Sequence, residues 1–306
     1  MNARRNESGQ AIVMVVLSIM VIFVMASFVL DAGSWFRTDR QLQATADAAA
    51  LAGVQELPDD PGAAQSAAMD YANRNGGNVL AADIKIEDSN HVISVKAAKD
   101  EEGIFSRVLG ISTTPISASA KARVDSPLQA RHVAPMTVFC GHPKIHNCDG
   151  NSTPDFGPGH TTEMEFDKNG APGAFGMLNL SGGNGTPGTS EQEEWIRRGF
   201  DKFLGLGLYN SNPGAKFSSS QIQDALGDRV GTVLLFPVFK TLEGQGENAE
   251  YDIIGWIGFH LESYEIHGHN ATLTGYFTEF IAQGILAATG SGIPPTFGVK
   301  SIQLIE

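Results

Sequence analysis

Two cysteines and two histidines fall within nine residues of this 306-residue chain and offer two kinds of chemistry. They are Cys140, His142, His146 and Cys148, in the order Cys-Gly-His-Pro-Lys-Ile-His-Asn-Cys. All four side chains can bind zinc, but a tetrahedral site is hard to build from so short a segment. The alternative is a disulfide between the two cysteines in an oxidising compartment. We expect the disulfide, with no metal ligand and no cofactor.

A second pattern follows directly, in which oxygen-bearing side chains alternate as they do at the start of a calcium-binding loop. These side chains belong to Asp149, Asn151, Thr153 and Asp155. Such a loop also needs a glycine at its sixth position and a glutamate at its twelfth, where this chain has Pro154 and His160. We therefore interpret the segment as a polar turn, with calcium binding as the alternative.

No catalytic residue can be assigned from the sequence. The chain lacks the Gly-x-Ser-x-Gly, His-Glu-x-x-His and Gly-x4-Gly-Lys-Ser/Thr signatures of hydrolases and nucleotide-binding proteins. His260, His267 and His269 lie in or beside a predicted hairpin, where the two that flank Gly268 could cluster. We interpret them as solvated turn histidines, because nothing else in the sequence completes a site around them.

Aromatic residues of the C-terminal half offer a different chemistry, the stacking of sugar rings. They are Trp195, Tyr251, Trp256, Tyr264 and Tyr276. Aromatic residues at strand spacing are more often part of a core than of a sugar-binding surface. The acidic balance of the chain, with a formal net charge of -13, repels phosphate backbones and argues against a nucleic-acid partner.

The elements that must position these residues begin with an apolar segment. From Ala11 to Leu30 there are 20 consecutive residues without a charge, which as a helix would span about 30 Å, the hydrocarbon thickness of a bilayer. A cleavable signal peptide has a shorter apolar run, and a buried soluble helix of this composition is unusual. We therefore predict a transmembrane helix over 11–30 and a cytoplasmic tail over 1–10.

The sequence indicates the orientation of this helix in the membrane less directly than it indicates the residues that span the membrane. Arg4 and Arg5 precede the helix and Arg37 and Arg40 follow it, so counting arginines leaves the two sides equal. The N-terminal amine favours a cytoplasmic N-terminus. The first ten residues carry a charge of +1, from two arginines and one glutamate, so the remainder carries -14 and is more easily placed outside. We expect the chain from residue 31 onward to be extracytoplasmic.

The helix is expected to continue beyond the membrane. Between Ser34 and Glu56 there is no proline and one glycine, and small residues recur at helical spacing until Pro58 and Pro61. Small residues at this spacing lie on one face of the helix, and a face of small residues lets another helix or a sheet approach closely. The residues expected to form the anchor and its packing face are Ala11, Leu30, Asp31, Ala46, Asp47, Ala50 and Gly53.

The order of these motifs resembles the N-terminal region of TadE/TadG-like proteins of the Flp (Tad) pilus. The resemblance rests on Arg-Arg at 4–5, Gly-Gln at 9–10, Asp-Ala-Gly at 31–33 and Ala-Asp-Ala-Ala-Ala-Leu-Ala-Gly at 46–53, and it covers about the first 125 residues. It implies a single-pass protein of the bacterial inner membrane that is a minor pilin or assembly component. The implied partners are other pilins or the Tad inner-membrane platform proteins, together with the lipid bilayer.

One position departs from the pattern of typical pilins. If a prepilin peptidase cut after Gly9, the fifth mature residue would be Met14, where typical pilins carry a glutamate that pairs with a neighbouring subunit. The missing carboxylate favours a permanently anchored accessory role over polymerisation into the pilus shaft.

Residues 31–125 predict a small α+β module of pilin-like size. The pattern indicates a helix over 63–75, then strands over 83–87 and 91–97 joined by the turn Asp88-Ser89-Asn90. A short helix over 104–109 and an alternating strand over 116–124 follow. A helix packed on a small antiparallel sheet is the simplest assembly of these elements.

Beyond this module the composition changes, with a predicted linker over 126–150 and a β-rich domain over 151–306. Predicted strands are 163–167, 175–180, 232–239, 252–264, 271–282 and 296–305, with helices at 191–204 and 221–226. Pro237 argues that its strand has an edge or a bulge. The segments 170–180, 212–214 and 233–238 resemble the C-terminal region of some TadG-related proteins, but they indicate structural turns and strands rather than a site.

The sequence thus predicts an α+β protein: a transmembrane helix continuing into a pilin-like module, followed by a β-rich C-terminal domain. The function that the resemblance implies is a non-enzymatic scaffold of a Tad/Flp pilus or related secretion apparatus, acting in assembly or surface adhesion. The alternative is a membrane-tethered envelope hydrolase or carbohydrate-binding protein.

Overall fold

The structure is a computed structural model, and it describes residues 8–76, 79–103, 106–110, 112–146, 148–149, 152–166, 175–182, 187–212, 216–244, 246–282 and 295–305. The chain divides into two compact units. Unit 1 comprises Met1–Arg123 and Leu304–Glu306, and unit 2 comprises Val124–Gln303. The predicted α+β class is confirmed, with a long apolar helix first, mixed helix and sheet next and a β-rich region last.

Unit 1 is organised by one helix, α1 (Ser8–Val54), which is 47 residues long. At 1.5 Å per residue it extends about 70 Å, more than twice the thickness of a bilayer core. No proline interrupts it, and the alanine-rich second half has strong intrinsic helix preference, whereas the first half contains many Val and Ile residues, which are weaker helix formers in water. Its first half is exposed on all sides, whereas one face of its second half is buried. The predicted continuation of the helix beyond residue 30 is therefore present in the structure.

A second helix, α2 (Pro61–Arg74), packs against the end of α1. Asp60 begins it, because its Oδ1 accepts a hydrogen bond from the Ala63 N–H at 2.8 Å, and proline occupies the first helical position. The two helices meet through small residues that are fully buried: Ala46, Ala49 and Ala50 on α1, and Ala64, Ala68 and Ala72 on α2. Alanine faces allow close approach of the two backbones.

The helices of unit 1 contact three consecutive strands that pair antiparallel, β1 (Ile84–Glu87), β2 (Val92–Glu102) and β3 (Thr113–Asp125). The turn between β1 and β2 has the predicted Asp88-Ser89-Asn90, and all three residues adopt positive φ angles, which suit asparagine and aspartate. The register runs from Val92 opposite Arg123 to Glu102 opposite Thr113. The chain returns to this unit at its end, where the Ile305 N–H donates to the Lys121 carbonyl at 2.9 Å.

Unit 2 contains eleven strands and two helices among the described residues. The strands are β4 (Gln129–Ala130), β5 (Met136–Phe139), β6 (Thr162–Phe166), β7 (Phe175–Met177), β8 (Leu204–Gly205), β9 (Gly207–Asn210), β10 (Val233–Glu243), β11 (Glu250–His267), β12 (Asn270–Thr278), β13 (Phe280–Ala282) and β14 (Val299–Leu304). The helices are α3 (Thr189–Arg198) and α4 (Ser220–Gly227).

The main sheet of unit 2 has the strand order β6-β12-β11-β10-β5-β7, and β9 also pairs with β11. Strand β10 is central, and its residues alternate between two buried clusters. Phe236 belongs to one cluster with Phe259 and Phe277, while Leu235 belongs to the other with Trp256. Burial on both faces explains why this strand is an almost continuous apolar run instead of an alternating one.

Pro237 lies inside this central strand, so the edge alternative that its residue type suggested is not what the structure shows. The register of β10 against β11 shifts just after it, between Val238 and Phe239, which is the bulge alternative. The Pro237 carbonyl also accepts a hydrogen bond from the Thr137 hydroxyl at 2.8 Å. The bulge accommodates a residue that has no N–H to donate, and the bond from Thr137 satisfies the Pro237 carbonyl.

The segment 126–150, interpreted from composition as a linker, contributes strands to unit 2. β5 lies between β10 and β7, parallel to the first and antiparallel to the second. Met136 and Val138 of this strand are fully buried. The linker interpretation rested on Pro127 and Pro135, but β5 begins directly after Pro135 and its own apolar residues make it a core strand.

We predict that Gly53→Ala weakens the packing of α1 on α2. A Cβ added at Gly53 would lie 2.8 Å from the Ala64 carbonyl oxygen and 2.6 Å from Ile93 Cδ1. Backbone cannot move aside as a flexible side chain can, so we expect a loss of about 1–3 kcal/mol. Hydrogen exchange of α2 amides, measured in the full chain in detergent micelles, should accelerate accordingly.

Gly33→Ala is the matched control, because an added Cβ there meets nothing within 4 Å in the same helix. It should leave exchange in α2 unchanged. Equal effects of the two substitutions would contradict the role given to Gly53.

Candidate functional site

The first candidate site is the apolar surface of α1. The segment from Ala11 has a mean hydropathy of 3.0, and its large side chains from Ile12 to Leu30 are between 46% and 68% exposed. Its two hydroxyls are satisfied within the helix, since Ser18 donates to the Met14 carbonyl and Ser27 to the Phe23 carbonyl. An apolar helix with no exposed unsatisfied polar group is suited to lipid. Among the described residues this is the one helix long and apolar enough to cross a membrane.

Asp31 marks the point where α1 passes from lipid-facing to protein-facing. Its side chain is 2% exposed, and its Oδ2 accepts a hydrogen bond from the Ser106 N–H at 2.8 Å. A buried carboxylate needs such donors, because burial without them is strongly unfavourable. Gly103 lies beside this contact, and a Cβ there would lie 3.2 Å from Asp31 Oδ2. Asp31 therefore ties the start of the outer half of α1 to the loop that follows β2.

Two further polar contacts continue along the same helix. Thr38 is buried and forms a hydrogen bond with the Glu101 side chain of β2. The pKa of the Glu101 carboxyl is lowered, mainly by its hydrogen bond with Lys99 and to a smaller extent by the one with Thr38. Gln43 donates to the Ser119 carbonyl of β3 at 3.2 Å. The helix is thus hydrogen-bonded to the sheet region at three successive levels.

The Ala-Asp-Ala-Ala-Ala-Leu-Ala-Gly run occupies the next turns of α1 and has two roles. Ala46 and Ala50 are fully buried, and at Gly53 an added Cβ would meet Ala64 and Ala68 of α2, so small size matters there. Asp47 is half-buried instead and accepts a hydrogen bond from the Gln43 side chain at 2.8 Å, which orients the amide that reaches β3. Ala11 and Leu30, at the two ends of the predicted span, are exposed.

The second candidate site is the loop between Cys140 and Cys148, which are joined by a disulfide with Cα atoms 4.8 Å apart. Both sulfurs are in this bond, so neither is a thiolate ligand for zinc. His142 is buried in the loop, with its ring edge-on to Phe277 at 5.8 Å, and burial followed by the Lys144 charge lowers its pKa. We interpret this buried, neutral imidazole as part of the packing of the loop and not as a metal ligand.

Asp155, the last oxygen ligand of the calcium-like pattern, is surrounded by basic side chains. His146 Nε2 lies 2.8 Å from its Oδ1, and Lys144 Nζ and His160 Nδ1 lie 3.4 and 3.6 Å from its Oδ2. The hydrogen bond with His146 is the main cause that lowers the pKa of the Asp155 carboxyl. These contacts occupy the carboxylate that calcium would need, and Asn151 of the same pattern lies outside the described residues.

The remaining predicted residues do not assemble into one site. His260 stacks on Tyr276 at 4.8 Å, His267 lies 3.3 Å from Glu265, and His269 lies 3.2 Å from Ser218. Within the described ranges, no group of three or more histidine, cysteine, aspartate or glutamate side chains could hold a metal ion.

The aromatic residues considered for sugar binding are mostly interior. Trp195, Tyr251 and Trp256 are between 2% and 6% exposed. The Trp256 indole N–H donates to the Pro127 carbonyl, and the Tyr264 hydroxyl donates to the Gln223 carbonyl. Side chains packed in this way support the core and leave little surface on which a sugar could stack.

These features fit a membrane-anchored protein in which one apolar helix continues beyond the span as a stalk of small residues and is followed by a mixed α and β region. Residues 9–56 match the Tad family model, described as TadE/G-like Flp pilus-assembly. The match confirms the predicted resemblance over residues 9–56 and supports a general role in Tad/Flp pilus assembly alongside other components of that machinery. No curated protein and no solved structure gives a significant match to the chain.

The motif identifies Asp31 and Asp47 as candidate residues, but it does not identify the groups that they contact. Ser106 and Ser119, whose backbone groups complete these contacts, are 75 and 76 residues from Asp31 and Gln43. A run of alternating residues predicts a strand but not which of its backbone groups meets a helix. The one local signal was that a carboxylate directly follows an apolar span, where it must find a donor or water.

We predict that Asp31→Ala destabilises unit 1, whereas Asp31→Asn has a smaller effect. Alanine leaves the Ser106 N–H buried without an acceptor, which costs about 1–3 kcal/mol, while the asparagine oxygen can still accept. Asp39→Ala on the exposed face of α1 is the control. Urea unfolding of the full chain, followed by hydrogen exchange at 106–110, should separate the variants. Indistinguishable exchange in Asp31→Ala and Asp39→Ala would refute the contact's importance.

We predict that the double variant Cys140→Ser with Cys148→Ser lowers the free energy of unfolding of unit 2 by about 2.5 kcal/mol. This is the chain-entropy value for so short a loop, whose cysteines are 8 residues apart. Tryptophan fluorescence reports on this unit through the buried Trp195 and Trp256.

The control for this experiment separates the disulfide from metal binding. A reductant should destabilise the wild-type protein and leave the double variant unaffected. Destabilisation of the wild type by a metal chelator, with no effect of reductant, would favour the zinc or calcium alternative instead.

Proposed function

We propose that this protein is a permanently anchored, non-enzymatic scaffold of a Tad/Flp pilus or related secretion apparatus, as a minor pilin or accessory component. The observation that carries the proposal is the continuity of α1, which passes from an exposed apolar surface into a buried stalk without a break. Such a helix transmits the position of the membrane span to the outer region. Scaffolding requires this rigid connection, and the TadE/G-like match covers the same helix.

Retention in the membrane, rather than export into a shaft, is supported by the composition of the apolar segment. Met14 occupies the position where the resemblance to pilins places a glutamate, and its side chain is 64% exposed in an apolar surface. Without a carboxylate there, the helix lacks the charge that would pair with a neighbouring subunit. The favourable partner for this surface is lipid, or another apolar helix within the bilayer.

The residues just beyond the span support a fixed depth in the membrane. Trp35 and Phe36 follow Asp31 by about one turn, and the Arg40 guanidinium lies 5.4 Å from the centre of the Phe36 ring. Aromatic and cationic side chains together prefer the interfacial region of a bilayer. With the N-terminus in the cytoplasm, these aromatic and cationic residues would sit at the outer surface of the inner membrane. Unit 2 and the part of unit 1 that follows residue 30 would then be displayed outside.

We predict that fusing alkaline phosphatase, which is active only outside the cytoplasm, after residue 306 gives an active enzyme. A fusion after residue 10 should be inactive. The same two fusions with a cytoplasm-dependent fluorescent protein serve as the reciprocal control. An inactive C-terminal phosphatase fusion would overturn the proposed orientation.

The proposed function predicts that cells lacking the protein make fewer pili and adhere less. Wild-type protein should restore both properties, and Gly33→Ala should restore them equally. Gly53→Val should restore them poorly, although its membrane level must be shown to match. Normal pilus number and adhesion in cells without the protein would contradict the proposal.

A further inference from the structure

A cleft of about 630 Å³ opens in unit 2, and arginines concentrate in its wall although the chain carries a net charge of -13. The cationic residues are Arg131, Arg198 and Arg229, together with His132. The apolar lining is Phe203, Val233, Leu235, Phe280, Ile281 and Ala282. This volume is in the range of sites for small organic ligands and is far larger than a single inorganic anion needs.

The backbone holds two of these arginines close together. Gly199 follows Arg198 at the end of α3 and has a φ of +76°, and a Cβ there would collide with the backbone of His132. The His132 N–H donates to the Phe200 carbonyl at 2.9 Å, which fixes this approach. Arg131 and Arg198 are thereby carried on two segments in direct contact, so the cationic wall is formed before any ligand arrives.

Arg229 carries a positive charge without a carboxylate partner among the described residues. Its Nη1 and Nη2 donate to the carbonyls of Arg197 and Val233, and burial lowers its pKa. Its Nε is buried and has no hydrogen-bond partner. Neutral carbonyls orient a guanidinium but do not balance its charge, and a half-buried charge favours an anion nearby.

The other two arginines have partners that a ligand can replace or share. Arg131 pairs with Asp201 through its Nε at 3.0 Å, and Arg198 pairs with Glu194 at 3.4 Å. Both pairs are exposed to solvent, so each contributes little stability and exchanges readily. Planar guanidinium groups bind carboxylates in a bidentate manner, which makes an added carboxylate a favourable partner here.

The apolar wall indicates what the anion is attached to. Phe203 and Ile281 are 53% and 42% exposed, so a ligand can reach both side chains, and the Arg131 guanidinium lies 6.0 Å from the centre of the Phe203 ring. Ile281 belongs to β13, which pairs with β14 on one side and has no strand on the other in the part of the chain that the structure describes. An unpaired strand edge beside a cationic cleft is suited to an extended peptide, whose backbone adds to the edge.

We propose that this cleft binds the free α-carboxylate of an extended peptide that ends in an apolar residue. The carboxylate is held by Arg198 and Arg229, the apolar side chain packs on Phe203 and Ile281, and the backbone runs along β13. The ligand is therefore the C-terminal end of another polypeptide, and the binding site belongs to unit 2 alone. The inference is independent of whether the protein acts in pilus assembly.

The test uses the full chain in lipid nanodiscs and a fluorescein-labelled pentapeptide ending in Val-Phe with a free carboxylate. Fluorescence polarisation should show saturable binding that weakens with salt. Amidation of the C-terminus should weaken binding at least tenfold, because it removes the charge that the arginines recognise. Arg198→Ala should weaken it about tenfold, and Arg229→Met by more.

Controls keep the result interpretable if Arg229→Met does not fold. Arg198 is exposed at the end of α3, so its alanine variant should fold, and Arg74→Ala removes an exposed arginine of unit 1 without touching the cleft. Arg74→Ala should bind as the wild type does. Equal binding of the free and amidated peptides, or full binding by Arg198→Ala, would overturn the proposal.

Two competitors separate the peptide from other anions. Glucuronic acid and inorganic phosphate, each at a concentration far above that of the peptide, should displace it weakly because neither offers an apolar end or a strand. Displacement by glucuronic acid as efficient as that by the unlabelled peptide would assign the cleft to an acidic sugar, and equally efficient displacement by phosphate would assign it to a phosphate group. Either result would overturn the peptide proposal.

Discussion

The structure depends on one helix that must satisfy two environments in succession. Over its first half α1 exposes apolar side chains on every face, and over its second half it buries one face of small residues against protein. Because the helix is continuous where its environment changes, there is no turn at that point whose polar groups could make the transition. Asp31 resolves the transition, because its carboxylate is the first charge after the span and is paired at once with the Ser106 backbone.

The packing of α1 on α2 differs from that of an ordinary helix pair in the interactions that stabilise it. Alanine side chains remove much less apolar surface from water than leucine does, so their contribution per residue is small. Stability must then come from close approach and from polar contacts with the sheet at Asp31, Thr38 and Gln43. This combination makes unit 1 sensitive to one added methyl group at Gly53 but tolerant of change on the opposite face of α1.

Local signals in the sequence were sufficient for most elements, whereas long-range pairing was not predictable. The apolar run, the Asp88–Asn90 turn and the apolar strand around Phe236 each have a mechanism that acts within a few residues. By contrast, the strand in 136–139 directly follows Pro135 and looks like part of a linker until its partner β10, about 100 residues away, is known. The arginine cleft was also missed, because Arg131, Arg198 and Arg229 share no motif and meet only through the bend at Gly199.

The proposed scaffold role requires that the membrane span and the stalk that follows it are one uninterrupted helix. Residue-resolved amide hydrogen exchange of the full chain in lipid nanodiscs, across 27–54, tests this most directly. We expect continuous protection through Asp31 to Arg40, with no fast-exchanging segment at the membrane surface. Rapid exchange over several consecutive amides in that interval would show a hinge between span and stalk, and would contradict the rigid connection on which the proposed scaffold role rests.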